Sequence, residues 1–151
     1  MPHRPGLPPE LGPFAEELRR AFAELDSRRE LADLAWHGEY RPAVDVVETP
    51  GAVEVTIDLP GVTATDIRVI VRGGLIMVVG DKYPPRPAPP GATFHVAERG
   101  FGRFARMVRL SSAYDARHAT AELRHGALRI VVPKLEERRG GPVLVPIRQA
   151  D

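Results

Sequence analysis

The chain has 151 residues, which corresponds to one domain with short extensions. Its 21 Lys and Arg residues are balanced by 20 Asp and Glu residues, so there is no cationic excess to bind nucleic acid. The absence of cysteine excludes disulfides, thiol nucleophiles and cysteine-based metal centres. The longest apolar run, Leu75 to Val79, is too short to span a membrane, and the first residues show no secretory signal. We therefore expect a soluble, cytoplasmic protein.

Proline divides the chain into three parts. Ten of the 16 prolines fall within residues 2–13 and 84–90, where neither a helix nor a central strand can continue. The second cluster is expected to form a stiff, extended loop. These breaks predict an N-terminal arm over residues 1–41, a domain over 42–135 and a C-terminal tail over 136–151.

The arm contains an amphipathic helical pattern. Apolar residues recur at spacings of three and four and continue further along the arm, at Phe14, Leu18, Phe22, Leu25, Leu31, Leu34 and Trp36. So short a helix is marginal alone in water, so this stripe must pack on the domain, on another subunit or on a foreign protein. Residues 1–40 also carry five Arg against eight acids, whereas residues 41–135 carry 13 cations against nine acids. Apart from simple solvation, the acidic arm could contact the basic body of its own or another subunit.

From residue 42 the apolar period changes to two, which is typical of half-buried strands. Predicted strands lie around Val44–Val46, Val53–Leu59, Ile67–Val71, Leu75–Val79, Phe94–Val96, Phe101–Leu110, Ala119–Leu123 and Leu128–Val132. Turn signals separate several of them, including Pro60-Gly61, Gly73-Gly74 and His125-Gly126. Short strands joined by turns, with no helical interior, predict an all-β fold, an antiparallel β-sandwich.

The tail ends in an apolar segment that follows a polar spacer over residues 136–142. Val143, Val145 and Ile147 alternate with Leu144 and Pro146. An extended segment with apolar side chains at alternate positions is suited to docking on a sheet edge. Pro146 has no N–H to donate, which favours an edge or a groove.

Six short motifs follow one another between residues 42 and 147. They are Pro42-Ala43-Val44-Asp45-Val46-Val47-Glu48, Asp58-Leu59-Pro60-Gly61, Gly102-Arg103-Phe104-Ala105-Arg106 with Arg109-Leu110, Ala121 to Leu128, Pro133-Lys134, and Val145-Pro146-Ile147. In order and spacing they resemble the small heat-shock protein (α-crystallin-domain) family of bacterial type. The departures from its pattern are Ser111 for a proline, His125 and Ala127 in the fourth motif, and Val145 for an isoleucine.

The resemblance implies an immunoglobulin-like sandwich whose homodimers assemble into larger homo-oligomers and hold non-native client proteins without ATP. The seven apolar residues of the arm pattern would then bind clients. A strand carried on the loop over residues 81–100 would cross to the partner, which puts Phe94, His95 and Val96 at the dimer interface. Arg106 would be an interface arginine that pairs with carboxylates across the dimer or supports the strand. The tail anchors Val143, Val145 and Ile147 would dock on a neighbouring dimer. Their groove would be lined by Ile67, Val69, Val71, Ala119, Ala121 and Leu123.

No catalytic, metal or cofactor site is predicted. The five histidines include no i, i+4 pair and no nearby ligand set. Asp58, Asp66 and Asp81 lie at predicted strand ends or turns, where Asp is common. Two other function classes remain open: a p23-like co-chaperone, which would be mostly monomeric with an acidic tail, and a non-catalytic β-sandwich ligand-binding module, which would need exposed aromatic residues.

Overall fold

The computed structural model describes residues 14–27, 40–72, 74–85, 87–111, 113–135 and 143–150. Its elements are helix α1 (Ala15–Ser27) and strands β1 (Val44–Glu48), β2 (Ala52–Asp58), β3 (Ile67–Arg72), β4 (Leu75–Lys82), β5 (Gly102–Arg109), β6 (Thr120–Arg124), β7 (Ala127–Pro133), β8 (Val143–Val145) and β9 (Ile147–Ala150). Single turns of 3-10 helix lie at Ala64–Asp66 and Ala116–His118.

The strands form two sheets that pack face to face. One sheet has the order β1-β2-β7-β6-β9 and the other the order β5-β4-β3-β8. Strand pairs are antiparallel except for β6 and β9, which run parallel. The predicted antiparallel β-sandwich is therefore confirmed, with one parallel pair added by the tail.

The period-two pattern places one face of each sheet in a shared inner core. In β2, for example, Val53, Val55 and Ile57 are buried while Asp58 is exposed. The corresponding residues of β3 are Ile67, Val69 and Val71, and those of β7 are Leu128, Ile130 and Val132. Because of this alternation, the inward side chains of the two sheets interdigitate and form the core.

The predicted turn between β6 and β7 is also confirmed. His125 and Gly126 have φ values of 49° and 74°, and they link Arg124 to Ala127, which pair across the hairpin. Two consecutive left-handed residues define a type I′ turn, whose twist matches that of the flanking strands.

The predicted strand at Phe94–Val96 is not formed within the single chain, and its pairing with a partner stays a prediction. Residues 87–101 form an irregular surface loop, in which Phe94 and Val96 are 72% and 71% exposed. A strand that hydrogen-bonds only to a partner has no ladder to join in one chain, so sequence alternation alone does not create it.

Candidate functional site

Helix α1 covers the outward side of the four-stranded sheet. Its apolar stripe, Leu18, Ala21 and Leu25, is buried against β3 and β4 together with Phe14, which directly precedes the helix. We include Phe14 in the apolar stripe. We call the surface beneath it the outer face, and define it by Arg68, Ile70 and Arg72 on β3, Leu75, Met77 and Val79 on β4, and Arg103 on β5. Phe14, Leu18 and Leu25 of the predicted client-binding set are thus packed on this chain's own sheet, and Phe22 is partly buried beside them.

Every residue of β4 is buried, because both sides of this strand are covered. Ile76 and Val78 face the inner core, whereas Leu75, Met77 and Val79 face α1. An antiparallel strand with one solvated side would alternate between apolar and polar residues. The unbroken apolar run in β4 therefore indicated, from sequence alone, that the outer face is covered. The sequence-based site prediction missed the apolar residues of this face.

Three ion pairs tie α1 to arginines of the outer face. Nε of Arg68 lies 2.8 Å from Oε2 of Glu24. Nη1 of Arg72 lies 2.6 Å from Oε1 of Glu17. On the opposite flank of the helix, Nη2 of Arg103 lies 2.7 Å from Oδ1 of Asp26. The sequence left open whether the acidic arm is solvated, contacts its own subunit or contacts another. In the structure it contacts the basic domain of its own subunit.

Arg103 joins the arm to a buried carboxylate of the sheet. Its Nε and Nη2 donate to the two carboxylate oxygens of Asp81 at 2.9 and 3.0 Å, and Asp81 is only 1% exposed. The guanidinium also lies 4.7 Å from the ring centroid of Phe22. Burial lowers the pKa of Arg103, but the hydrogen bonds and charges of Asp81 and Asp26 outweigh it and raise the pKa above its usual value. Arg103 is therefore a fixed cation.

The tail lies along the open edge of the sandwich and adds a strand to each sheet. Val145 pairs with Val69 of β3, and Ile147 pairs with Ala121 of β6. Val145 is buried in the inner core, and Ile147 packs partly buried against it. Five of the six residues predicted for the groove lie on these strands, and Ala119 directly precedes β6. All six lie in or against the inner core. In the single chain the groove therefore holds the chain's own tail, and its occupation by a neighbour's tail stays a prediction.

Polar contacts beyond the apolar anchors fix the register of the tail. Arg148 forms an ion pair with Glu122 of β6, and the side-chain amide of Gln149 donates to the carbonyl oxygen of Leu123 at 3.3 Å. The hydrogen bond from Arg148 lowers the pKa of Glu122, aided by the charges of Arg124 and Arg129. A slip of two residues would lose both contacts.

The side chains of the tail anchors differ in burial. Val145 is buried, whereas Val143 and Ile147 are partly buried. Leu144 points to the opposite side of β8, is 58% exposed and lies beside α1. The anchors thus face the core, and Leu144 faces the arm.

The predicted dimer residues are separate from one another in the single chain. Phe94 and Val96 are exposed on the loop with His95. A second exposed apolar pair, Val46 and Val47, lies on β1, the edge strand of the five-stranded sheet. A single chain thus has both an exposed apolar loop segment and an edge strand whose outer backbone N–H and C=O groups have no strand partner.

The remaining predicted interface residue, Arg106, contacts the start of the domain. Its Nη1 donates to the carbonyl oxygen of Pro42 at 3.0 Å. Nearby, the ammonium of Lys82 lies 4.5 Å from the ring centroid of Tyr40 and 5.6 Å from that of Phe101. Burial, aided by Arg99, lowers the pKa of Lys82. These contacts hold residues 40–42 against the β4–β5 pair.

The remaining sequence-based predictions concern residues outside the described ranges, metal binding and membrane spanning. Leu31, Leu34 and Trp36 lie outside the described residues. Within the described ranges, no group of three or more His, Asp or Glu side chains is arranged to hold a metal ion. No helix in the described part of the chain is long and apolar enough to cross a membrane.

The sequence and the fold match a known class of protein. Residues 45–148 match the model of the Hsp20/alpha crystallin family, and the chain belongs to this family. It is 28% identical over 104 residues to small heat shock protein C4 of Rickettsia felis, which covers 69% of this chain and 63% of that protein. It is 33% identical over 96 residues to the 16.9 kDa class I heat shock protein 1 of Triticum aestivum, which covers 64% of each. The chain thus spans less than two thirds of the length of these curated relatives.

Solved structures of small heat-shock proteins share the sandwich. Heat shock protein 16.0 of Schizosaccharomyces pombe has a TM-score of 0.61 at 29% identity, over 67% of this chain and 93% of that one. A small heat-shock protein from Xylella fastidiosa, described as having a distinct high order structure, has a TM-score of 0.57 at 31% identity, over 67% and 92% of the two chains. The family resemblance predicted from the six motifs is confirmed.

Proposed function

We propose that this protein is an ATP-independent holdase, which binds unfolding proteins and suppresses their aggregation from a dimer-based homo-oligomer. One observation carries the proposal: two apolar surfaces of the sandwich are covered by terminal segments of the chain. The outer face is covered by α1, and the edge between β3 and β6 is covered by β8 and β9. Both covers can leave while the core strands β1–β7 stay paired.

Reversible exposure is sufficient for holding. A non-native protein presents apolar segments that gain free energy by leaving water, at about 25 cal/mol per Å² buried. The apolar stripe of α1 and the outer face each offer such a surface when they separate. No bond is made or broken in this process, so the proposed activity is not enzymatic and needs no cofactor.

Dimer formation is supported by two exposed apolar surfaces, an open strand edge and a loop segment, that could pair between subunits as neighbouring strands. The edge of β1 has unpaired backbone groups and the exposed side chains of Val46 and Val47. The segment around Phe94, His95 and Val96 is exposed and has apolar side chains two positions apart. If this segment pairs with β1 of the partner, it gains the backbone hydrogen bonds of a strand, which it lacks in the single chain.

Growth beyond the dimer is supported by the tail. Seven residues, 136–142, separate Leu135 from Val143 in the sequence, which is enough chain to reach a neighbour. Exchange of β8 and β9 between subunits would preserve each contact that the tail makes in the single chain. Contacts that are weak singly become stable when repeated around a closed assembly, and subunits can still exchange.

Aggregation of a heat-labile enzyme, followed by light scattering, tests the activity. An equal mass of the protein should suppress scattering equally with and without ATP, whereas an unrelated soluble protein of similar size should not. Light scattering coupled to size exclusion tests the assembly, since a p23-like or ligand-binding module would elute as a monomer. A requirement for ATP, or a lack of suppression, would refute the holdase assignment.

A further inference from the structure

We propose that the outer face is a docking site for acidic amphipathic helices of non-native proteins, and that α1 is its built-in occupant. This inference rests on the proposed holdase function and names the surface and the chemical class of client. The outer face combines an apolar strip, formed by Ile70, Leu75, Met77 and Val79, with arginines on both sides of that strip. Its present occupant has the complementary pattern, an apolar stripe flanked by carboxylates.

The spacing of the charges on one flank matches a helix lying along a strand. Glu17 and Glu24 are seven residues apart, which is a rise of about 10.5 Å along a helix. Their partners Arg72 and Arg68 are four residues apart, which is about 13 Å along a strand. Since Glu17 pairs with Arg72 and Glu24 with Arg68, α1 runs opposite to β3. An acidic pair at i, i+7 beside an apolar stripe is therefore the pattern that this flank recognises.

Arg68 and Arg103 are held in place by the sandwich itself. Nη1 of Arg68 donates to the carbonyl oxygens of Thr65 and Ile67, each at 2.9 Å. Arg103 is held by both carboxylate oxygens of the buried Asp81. These contacts do not involve α1, so the two guanidinium groups stay in place when the helix leaves. A preorganised cationic site spares an incoming helix the cost of ordering the receptor.

The site selects by charge as well as by apolar area. A helix with basic residues on its flanks would bring like charges against Arg68, Arg72 and Arg103 and would be repelled. The cover is also incomplete at one side, because Leu144 of β8 is 58% exposed beside α1. A client helix with larger apolar side chains on this flank would bury Leu144 in addition.

Binding of a labelled peptide to the full-length chain tests the site directly. The probe is a peptide with the sequence of residues 14–27, and its control has lysine in place of Glu17, Glu24 and Asp26. In the full-length variant Glu17→Gln/Glu24→Gln/Asp26→Asn, the chain's own helix competes less well. Fluorescence anisotropy should show the acidic probe binding this variant about fivefold more tightly than it binds the wild type, because removal of a competing state raises apparent affinity. The lysine peptide should bind neither protein.

Variants of the receiving arginines separate the outer face from other surfaces. The arginine variants are made in the background of Glu17→Gln/Glu24→Gln/Asp26→Asn, in which the chain's own helix no longer pairs with these arginines. In this background Arg68→Gln/Arg72→Gln should weaken binding of the acidic probe about fivefold. Arg117→Gln/Arg129→Gln is the matched control: it removes the same charge from other parts of the surface, and Arg129 also has a glutamate partner, Glu54. Arg68→Lys/Arg72→Lys should recover part of the affinity, which excludes a simple folding defect. Each variant is compared by circular dichroism and thermal unfolding.

The outcomes distinguish this inference from the proposed function. Wild-type protein that suppresses aggregation, together with equal binding of the acidic and lysine peptides, would overturn the docking site and leave the holdase assignment intact. Equal binding of the probe by the Arg68/Arg72 and Arg117/Arg129 variants would overturn it as well. Selective probe binding without any suppression of aggregation would refute the holdase function alone. The inference is supported when the Arg68/Arg72 variant, unlike its control, binds the acidic probe more weakly and suppresses client aggregation less well.

Discussion

The two terminal segments bind the sandwich by different physical means. Helix α1 contacts the outer face through side chains, with an apolar stripe and three ion pairs. The tail extends the backbone ladders of β3 and β6 and inserts Val145 into the inner core. Side-chain docking tolerates sliding and exchange of one helix for another, whereas ladder pairing fixes register residue by residue. The arm is thus suited to varied clients, and the tail to one partner sequence.

The same difference sets the energetic scale of each contact. Burial of one Val or Ile side chain is worth about 1.5–3 kcal/mol before ordering costs. Each partly exposed ion pair of the arm adds only about 0.2–1 kcal/mol and is screened by salt. The ion pairs therefore orient α1 and select its charge pattern, while its apolar stripe provides most of the affinity. The following experiments separate these contributions.

The largest expected effect is loss of assembly when the tail anchors are truncated. Val145→Ala/Ile147→Ala should convert the oligomer to dimers or other small species, because each change removes about 1–4 kcal/mol from a contact that is repeated around the assembly. Val143→Ala is added in a triple variant to prevent a two-residue slip. Sedimentation velocity at one protein concentration measures the result.

Leu144→Ala is the matched control for the tail variants. This residue belongs to the same strand but faces away from the core and is largely exposed, so its truncation should leave the assembly intact. A large species that persists in the triple variant would show that assembly depends on the N-terminal arm, and the role given to the tail would be wrong.

The next largest effect is release of the arm. Leu18→Ala/Leu25→Ala removes two fully buried side chains from the α1–sheet contact, at about 2–5 kcal/mol each. Trypsin should then cut after Arg19 and Arg20 much faster, because cleavage follows the population of the opened state. The tail should stay docked, so hydrogen exchange in β8 and β9 should not change.

Deletion of residues 1–40 is the companion to the double variant. The core strands begin at Val44, so circular dichroism should still show β structure, and client protection should weaken. Faster exchange in both the arm and the tail of the double variant would show that the two sites are not independent.

The sequence predicted most of the sandwich and less of the surfaces. Strands β2, β6 and β7 were predictable because one buried face forces alternation, and β4 was predictable as an apolar run between turn signals. The His125-Gly126 turn was predictable because its φ values suit few residues. Phe94–Val96 alternates in the same way but has no ladder partner within one chain, so its pairing stays a prediction. The pairs that join Glu17 and Glu24 to β3 depend on how a helix lies on a sheet. Local periodicity contains no information about that orientation, although the charge asymmetry indicated that a contact was possible.

A smaller, graded effect is expected from salt. Raising ionic strength from 0.1 M to 1 M shortens the Debye length from about 10 Å to about 3 Å. Hydrogen exchange in α1 should become a few-fold faster, while exchange in β8 should not change. The variant Glu17→Gln/Glu24→Gln/Asp26→Asn, which removes the carboxylates of all three ion pairs, should show faster exchange at low salt and little further response. Equal acceleration in the arm and the tail would contradict the division between side-chain and ladder docking.

The smallest effect concerns acid and the tail. The docked tail holds the pKa of Glu122 below 4.5, its usual value, because the ionised carboxylate accepts the hydrogen bond from Arg148. This contribution is fully present above pH 4.5 and is lost as the pH falls through the lowered pKa. Between about pH 6 and about pH 3.5, hydrogen exchange in β9, corrected for its intrinsic pH dependence, should rise about two- to fivefold.

Glu122→Gln isolates this effect from acid effects elsewhere. Glu48 also has a lowered pKa, because of its hydrogen bond with Lys134, so β1 should loosen in the same range of pH. In the Glu122→Gln variant, β9 should exchange faster at pH 6 and respond less to acid, while β1 responds as in the wild type. An unchanged acid response of β9 would mean that the ion pair between Arg148 and Glu122 does not fix the tail, and that its other contacts determine its register.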